Sequence, residues 1–461
     1  MKGTTTSCID DQILCEILSR LPLKSLVRFK RVCKSWQSLI EKDQWLIKLH
    51  HRRQLKTSPH LYFLTSKAVL ESPRVFIVNL MVSFPKDESV KIEIPCTANL
   101  CIDTNHKEIT TATKTMQAIS NKDLLVCQHI QKPINGMICL IDKIERKDMD
   151  SDNEVKEDHA AGLYNVITKE ATPWIRSAYL AQVEKLCDLS KVDVYRTYEF
   201  GFDPTTREYK VICMWSISGY ELPKLEGYME YTIYEDEEEN YKMCEALTLG
   251  SDTAWRRIDK VPPSDKFSKD LYGSVYANGS IYWMYYNDIR PMLVAFDVGR
   301  EDYRVMPDLD MIGIDRPNSY YLMELDGHLV IVKNPDNHTV NLWILDDDCD
   351  KNTSTTNTSN IKWTKEIIML PICWSCQYVR LHAVEGTEYS ILELSDVESD
   401  KPRYRDSVFV HSYNRKTKTF SKIEITGDES ANSFLGANIG HPSYKFTMYV
   451  ESLLTLQRSY R

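Results

Sequence analysis

The stretch of sequence that decides the fold is Gly201-Phe-Asp-Pro-Thr-Thr-Arg-Glu-Tyr-Lys-Val211. In it an aromatic residue precedes Asp203, a polar segment follows, and a second aromatic residue, Tyr209, stands six positions after the aspartate. Aspartate and asparagine favour tight turns, and aromatic side chains pair well across neighbouring strands. The stretch therefore predicts a β-hairpin whose two strands are joined at the aspartate.

The same unit recurs along the chain. Further copies are Phe296-Asp297 with Tyr303, Tyr413-Asn414 with Phe420, and a weaker one at Tyr164-Asn165. With Asp252 and Asp346 as additional markers, consecutive markers are 38, 49, 45, 49 and 68 residues apart. A period of roughly 40–50 residues with several short strands per unit is typical of β-propeller blades. We expect about six units, or about seven if residues 61–95 form another; the alternative is a β-sandwich in which the spacing is fortuitous.

Hairpin-turn dipeptides run in phase with these markers. Asn278-Gly279 precedes Asp297, and Asp326-Gly327 precedes Asp346, by 18 and 19 residues counted from the glycine. Asn-Gly and Asp-Gly are the strongest signals for hairpins with two-residue turns. Two charged or polar tracts, 142–158 and 346–360, cannot bury enough apolar area to become ordered and are predicted to be mobile surface insertions.

A helical pattern occupies residues 11–40. The first helix is indicated by apolar residues at helical spacing and ends at Leu21-Pro22, because the residue before a proline avoids the α conformation. Two further helical stripes contain Leu23, Leu26, Val27 and Phe29, and then Val32, Cys33, Trp36, Leu39 and Ile40. A unit of about 40 residues rarely buries enough surface to be stable alone. These residues predict a surface left for another protein; the alternative is that all of them form an intramolecular core.

Composition excludes several classes of protein. The 461 residues carry a net charge of −9, which argues against nucleic acid as the main ligand, and no run approaches the roughly 20 apolar residues of a membrane span. Thirteen scattered cysteines are typical of a reduced, intracellular protein rather than of a disulfide framework. Residues 11–53 hold ten Lys or Arg and four acids, so a basic module precedes an acidic body. That balance suits an acidic docking partner, or simply a solvated helix face.

No catalytic or metal motif stands out. Cys373-Trp-Ser-Cys376 has no second cysteine pair, and the acidic runs at 235–239 and 346–350 lack the glycine and spacing of a calcium loop. P-loop, GxGxxG, HExxH and nucleophile-elbow signatures are missing from the sequence. We therefore assign no catalytic residue, no metal ligand and no cofactor.

The helical stretch resembles the plant F-box family. The matching phrases are Glu16-Ile-Leu-Ser-Arg-Leu-Pro22 and Val32-Cys-Lys-Ser-Trp36, and Ile9-Asp10 stands where the family usually opens with Leu-Pro. The resemblance implies docking on the Skp-type adaptor of a cullin-RING ubiquitin ligase. The adaptor-binding residues it implies are Ile13, Ile17, Leu21, Pro22, Leu23, Leu26, Val32 and Trp36. Of these, Leu21, Pro22, Leu23 and Leu26 are expected at the interface, and Trp36 is expected to pack internally and orient the helices.

The repetitive part is similar to the plant F-box-associated domain, which is related to kelch-type propellers. The resemblance is carried by Gly201–Val211, by Asn135-Gly-Met-Ile-Cys-Leu140 and by Asn278-Gly-Ser-Ile-Tyr-Trp283. The segment Tyr449-Val-Glu-Ser-Leu-Leu-Thr-Leu456 also resembles the S-locus F-box branch.

The resulting expectation is an α+β multidomain chain. Residues 1–8 are a flexible N-terminus, residues 9–52 form the small all-α F-box, and residues 60–456 form the large all-β propeller-like domain. The resemblance implies a non-catalytic substrate-recognition subunit whose partners are a Skp-type adaptor, through it cullin and RING subunits, and an unknown target protein. Nucleic acid and membrane are not expected partners, and the location is the cytoplasm, the nucleus or both. The alternatives are a propeller enzyme and a non-ligase scaffold, each with an F-box-like appendage.

Overall fold

The structure is a computed structural model of the 461-residue chain. It describes residues 11–43, 45–47, 49–50, 53, 60–67, 74–81, 90–94, 100–102, 125–130, 133–135, 137–147, 155–165, 172, 175–176, 192–219, 230–233, 239–249, 251–261, 274–287, 290–306, 309, 312–313, 320–336, 338–346, 362–371, 378–383, 388–395, 407–427 and 444–449. The predicted flexible residues 1–8, the Cys373-Trp-Ser-Cys376 motif and the tract 347–360 lie outside these residues.

Three short helices begin the described chain: α1 (Asp11–Leu18), α2 (Leu23–Phe29) and α3 (Lys34–Lys42). Leu21-Pro22 separates the first two as predicted, and Pro22 is the N-cap of α2. Cys33 caps α3, with its Sγ accepting a hydrogen bond from the backbone N–H of Trp36 at 3.4 Å. None of the helices in the described chain is long and apolar enough to cross a membrane.

The helices enclose a small apolar core of their own. Its fully buried members are Leu14, Cys15, Leu18, Leu23, Leu26, Ile40, Leu46 and Ile47. Trp36 packs edge-on against Phe29, with ring centroids 5.4 Å apart. Such an aromatic pair contributes about 0.5–1.5 kcal/mol beyond the area it buries. The expected internal packing of Trp36 is therefore seen.

Twenty-six strands form six sheets in the described part of the chain, and we number the sheets by the order of their strands. Sheet 1 contains β1 (His60–Lys67), β2 (Arg74–Met81), β4 (Leu100–Ile102) and β26 (Tyr444–Tyr449). Sheet 2 contains β5 (Leu125–Ile130), β6 (Met137–Lys147), β7 (Val155–Asn165) and β8 (Ile175–Arg176). Sheet 3 contains β9 (Val192–Asp203), β10 (Glu208–Gly219), β11 (Glu230–Ile233), β12 (Glu239–Leu249) and β13 (Arg256–Ile258).

The remaining strands complete the other three sheets. Sheet 4 contains β14 (Val275–Ala277), β15 (Ser280–Asn287), β16 (Arg290–Asp297) and β17 (Asp302–Val305). Sheet 5 contains β18 (Tyr320–Leu325), β19 (His328–Asp336), β20 (Thr339–Asp346) and β21 (Lys362–Met369). Sheet 6 contains β22 (Tyr378–Ala383), β23 (Tyr389–Ser395), β24 (Ser407–Asn414), β25 (Thr419–Gly427) and β3 (Val90–Ile94). Helices followed by a large all-β domain confirm the expected fold class.

The two ends of the β domain are joined through shared sheets. The C-terminal strand β26 pairs antiparallel with β1, with Phe63 opposite Phe446. The early strand β3 leaves sheet 1 and pairs parallel with β25 of sheet 6, with Ile92 opposite Ile425. Residues 61–95 therefore contribute to sheet 1 through β1 and β2 and to sheet 6 through β3, and the described residues form six sheets.

Neighbouring sheets bury apolar faces against each other, as propeller blades must. Sheets 2 and 3 share a buried cluster that includes Cys139, Leu163, Phe200 and Trp215, and sheets 3 and 4 share one that includes Met214, Cys244, Trp283 and Phe296. Sheets 4 and 5 share a cluster that includes Leu293, Leu322 and Ile331. Sheets 5 and 6 share a cluster that includes Val330, Leu342, Leu381 and Leu392.

The repeat markers do not all occupy the same place in their sheets. Asp297 and Asn414 each follow the third strand of a sheet, and Asp252 lies between β12 and β13. Asp203 instead lies between β9 and β10, the first two strands of sheet 3. Asp203 and Asp252 thus belong to one sheet, and the prediction that each marks its own unit is wrong. The local hairpin chemistry is the same at both kinds of position, so sequence spacing could not separate them.

The dipeptide turns are confirmed. Asn278 and Gly279 have φ of 43° and 85°, and Asp326 and Gly327 have φ of 52° and 87°. In the register of the flanking strands Ala277 lies opposite Ser280, so two residues close that hairpin. Positive φ at both central positions defines the turn type that matches strand twist.

The predicted insertion at 142–158 is largely strand. β6 and β7 pair without interruption from Met137 opposite Asn165 to Lys147 opposite Val155. Only 148–154 separate the two strands, and these lie outside the described residues. Backbone pairing in a long hairpin orders charged residues that composition alone assigns to a loop.

Candidate functional site

The strongest candidate site is an exposed apolar face on α1. Leu14, Cys15 and Leu18 point into the helical core, whereas Ile13 and Ile17 remain 55% and 49% exposed. Residues four apart are neighbours on one helix face. The two isoleucines therefore form one apolar patch, which we call the α1 patch, and nothing in the described chain covers it.

Other apolar residues of the helical module are also exposed. Val32, in the turn between α2 and α3, is 60% exposed, and Pro22 is also exposed. Trp45, which the sequence reasoning missed, is 50% exposed and follows α3. Because Trp45 lies just beyond the apolar stripe of α3, helical periodicity does not identify it.

Two of the predicted contact residues lie elsewhere. Leu23 and Leu26 are 0% exposed and belong to the module's own core, so neither is accessible to a partner in this structure. Their assignment to the interface is corrected: both fall on the inward stripe of α2. Leu21 and Trp36 are half-buried. The structure thus brings Ile13 and Ile17 together on the surface and removes Leu23 and Leu26 from it.

A charged cluster lies at the C-terminal end of α1. Arg53 donates a hydrogen bond from Nη1 to the backbone carbonyl of Glu16 at 3.0 Å, and its guanidinium also contacts the Ser19 hydroxyl and the Glu16 carboxylate. Arg20 contacts the same carboxylate at 3.1 Å. Hydrogen bonds from Arg53 and Arg20 hold the pKa of Glu16 below its ordinary value. The buried His50 lies 3.0 Å, by its Nε2, from the carbonyl oxygen of Leu21.

The propeller turns share one geometry. Asp203 accepts hydrogen bonds from the Thr205 N–H and the Thr206 hydroxyl at 2.8 and 2.7 Å. Asp297 and Asn414 accept equivalent bonds from the N–H groups two and three positions later. In each turn the residue four positions after the marker has a positive φ; these residues are Arg207, Glu301 and Lys418. The flanking aromatic pairs have ring centroids 4.8 Å apart in all three copies, which confirms the predicted hairpin.

Ionic contacts join sheets 3 and 4 next to these turns. Lys210 donates from Nζ to the Val298 carbonyl at 3.0 Å and to the Glu301 carboxylate at 2.7 Å. Arg256 donates to the same carboxylate at 2.7 Å. Burial alone raises the pKa of Glu301, but the hydrogen bonds from Arg256 and Lys210 outweigh burial and keep this pKa below its ordinary value. These contacts are structural links between two blades.

Two buried cysteines described in the propeller, Cys213 and Cys244, are not activated nucleophiles. Burial raises the pKa of the Cys244 thiol to about 12 and that of Cys213 well above its ordinary value. Neutral thiols are poor nucleophiles and poor metal ligands. Among the described residues, no group of three or more His, Cys, Asp or Glu side chains is placed to hold a metal ion. We assign no catalytic role to these groups.

Comparison with known protein families gives two matches. The family model for the F-box domain matches residues 7–48, and the one for the F-box associated beta propeller domain matches residues 80–450. A putative F-box protein of Arabidopsis thaliana is 22% identical over 459 residues, which cover 98% of this chain and 95% of that protein. An F-box protein of the same plant is 25% identical over 436 residues, covering 91% and 86%.

Solved structures give only distant similarity. The β-propeller domain of the Trilobed protease from Pyrococcus furiosus is 10% identical, with a TM-score of 0.21 over 62% of this chain and 92% of that one. A prolyl endopeptidase structure reaches a TM-score of 0.29 at 10% identity, over 87% of this chain and 56% of that one. Scores of this size carry no argument about activity.

Proposed function

Because this chain belongs to the F-box associated β-propeller domain family and carries an F-box domain, we propose that it is the substrate-recognition subunit of an SCF-type cullin-RING ubiquitin ligase. In this proposal residues 9–52 dock on a Skp-type adaptor, which connects to the cullin and RING subunits, and residues 60–456 bind a target protein. The protein would act in the cytoplasm, the nucleus or both. A finer relationship to kelch propellers or to the S-locus branch remains a prediction.

The observation that carries the docking proposal is the α1 patch. Ile13 and Ile17 are large apolar side chains held about half exposed on a helix whose opposite stripe is fully buried. Fully burying an isoleucine contributes about 1.5–3 kcal/mol, so covering the exposed half of both would supply about 1.5–3 kcal/mol in total. A few central residues of that kind dominate most protein interfaces.

The mechanism we propose is proximity. Holding a target near a charged ubiquitin-conjugating enzyme raises the effective concentration of its lysines without any catalytic group on the receptor. In this proposal no catalytic residue is assigned to this chain.

The topology also favours one end of the propeller for the target. In these antiparallel sheets the turns after the first and third strands lie at one end, and contacts between blades such as Arg415 with Asp326 at 2.8 Å occur there. The connections after the second strand lie at the other end. The strands that lead to and from those connections are long in sheets 2 and 3. They are β6, β7, β10 and β12, which have 11 or 12 residues each, more than the corresponding strands of sheets 4 and 5. Specificity usually lies in such variable connections.

The docking proposal is tested by changing both Ile13 and Ile17 to Asp in the full chain. We expect the variant to keep its thermal unfolding profile and to lose co-purification with a Skp-type adaptor. The matched control is Ile367→Asp on β21, because Ile367 is 47% exposed but lies in the propeller. Adaptor binding by the double variant at the wild-type level would refute the assignment.

A scaffold without ligase activity is separated from the proposed function by reconstitution. Wild-type protein, adaptor, cullin and RING subunits, together with a target captured by the propeller, should yield ubiquitylated target. Adaptor binding without any such product would favour the scaffold.

A further inference from the structure

Arg53 lies outside the matched F-box domain, yet it contacts the end of α1. The match ends at residue 48. Arg53 nevertheless reaches back 37 positions to Glu16. Its contacts include the Glu16 carbonyl, the Glu16 carboxylate and the Ser19 hydroxyl. Its side chain is 26% exposed.

These contacts supply what α1 lacks in its own sequence. The last carbonyls of any helix have no partner within the helix, and a cation near them is stabilising. The last turn of α1 contains no basic residue. A helix of eight residues is also too short to be stable alone. Arg53 therefore acts as a C-terminal cap provided from a distant part of the chain.

The same segment holds the turn that follows α1. His50 is fully buried and lies 3.0 Å, by its Nε2, from the carbonyl oxygen of Leu21, the residue before Pro22. Ser19 is also fully buried, and its hydroxyl donates to the Glu16 carbonyl at 2.8 Å. The end of α1 and the turn before α2 are thus tied to Arg53 and His50.

From this geometry we infer that Arg53 is a positioning residue for adaptor docking, which extends the functional helical module past the end of its family match. It fixes the last turn of α1 and, through it, the direction in which Ile13 and Ile17 face. The inference rests on the proposed function, because the patch it positions is the proposed adaptor surface. Arg53 itself is not assigned a contact with the adaptor.

The test compares three variants of the full chain: Arg53→Ala, Arg53→Lys and Arg20→Ala. Arg20→Ala is the matched control, since the Arg20 side chain contacts the same carboxylate but is 68% exposed and donates to no backbone carbonyl in its described contacts. Binding of a purified Skp-type adaptor is measured by calorimetry. Hydrogen exchange is measured at the amides of Ser19, Arg20 and Leu21, which donate to carbonyls of the last turns of α1.

We expect Arg53→Ala to weaken adaptor binding about tenfold, the effect of losing a charge-assisted hydrogen bond, and to speed exchange at these three amides. Exchange in α2 and α3 should stay unchanged, which a general loss of folding would not allow. Arg53→Lys should be intermediate, because one ammonium group cannot satisfy all three acceptors in their fixed arrangement. Arg20→Ala should change binding by less than about twofold.

Several outcomes would overturn the inference. Wild-type affinity in Arg53→Lys would show that only the positive charge at this position matters. If Arg53→Ala also unfolds α2 and α3, the affinity of Arg53→Lys decides whether the guanidinium positions α1. An equal loss in Arg20→Ala would show general electrostatic attraction to the adaptor. If the wild-type chain itself fails to bind the adaptor, the proposed function fails instead, so the two failures are distinguishable.

Discussion

Replacing Gly201 with alanine tests the packing of sheets 3 and 4 at a point of close approach. A Cβ atom at this position would lie 2.6 Å from Cγ2 of Val298 and 3.1 Å from Cδ1 of Ile281. Carbon atoms in ordinary contact are about 3.5–4.0 Å apart, so the two sheets must separate by about 1 Å or Val298 must leave its position. Valine has few alternative rotamers, which makes the second route costly.

The expected loss of stability is about 2 kcal/mol, in the middle of the range of about 1–3 kcal/mol for overpacked cores. Val298 is fully buried and cannot move freely. Its N–H donates to the Gly279 carbonyl at 3.0 Å, and its own carbonyl accepts from Lys210 at 3.0 Å. Urea denaturation followed by tryptophan fluorescence measures the change, since Trp283 lies in the same buried cluster.

The double variant separates this clash from other effects of the substitution. Val298→Ala alone should cost about 1–3 kcal/mol, because it removes buried methyl groups and leaves a small cavity. Adding Gly201→Ala to it should cost nothing further, since the new methyl group occupies the space that was vacated. The coupling energy should therefore be about 2 kcal/mol. Additive losses would refute the contact between the two sheets at this position.

Three further predictions concern separate parts of the chain. Leu26→Ala should destabilise the helical module by about 2–5 kcal/mol, seen as its earlier thermal melting, because Leu26 is fully buried; an unchanged melt would contradict this. The low pKa of Glu301 implies stability that is complete above its ordinary value of 4.5 and is lost as pH falls through the lower folded pKa. As pH falls from neutral through that pKa, the free energy of unfolding of Glu301→Gln should therefore decrease less than that of wild type. Parallel curves of unfolding free energy against pH for the two proteins would contradict this. Lys418 is exposed with φ of 60°, so Lys418→Gly should raise the urea midpoint by the equivalent of about 0.5–1 kcal/mol, whereas a lower midpoint would contradict the strained backbone.

The hairpins could be predicted from sequence because their causes are local. The bonds to Asp203, Asp297 and Asn414 all come from groups two or three residues away. The place of each hairpin in its sheet depends on pairing between distant strands, and no local signal records it. The pairing of β26 with β1 and of β3 with β25 is of that kind. This is why sequence spacing assigns Asp203 and Asp252 to separate units although both belong to sheet 3.

The candidate site was predictable as a module but not residue by residue. Both apolar stripes of α1 contain large aliphatic residues, so helical spacing identifies the two stripes but does not tell which one faces inward. Leu14 and Leu18 are buried and Ile13 and Ile17 are not, because the core formed by α2, α3 and Ile47 selects one stripe. Burial of Leu23 and Leu26 follows from the same core.

The contribution of Arg53 illustrates why the end of a sequence motif need not be the end of a functional unit. The family match ends at residue 48, whereas helical residues continue at 49–50 and 53. In the last turn of α1 the Glu16 carbonyl accepts from the Ser19 hydroxyl and also from the guanidinium of Arg53, which follows the motif. Since a docking surface of two isoleucines can bind only as well as it is oriented, the residues that orient it belong to the docking unit. The boundary at residue 48 therefore describes the motif, while the contacts of His50 and Arg53 describe the structure that presents it.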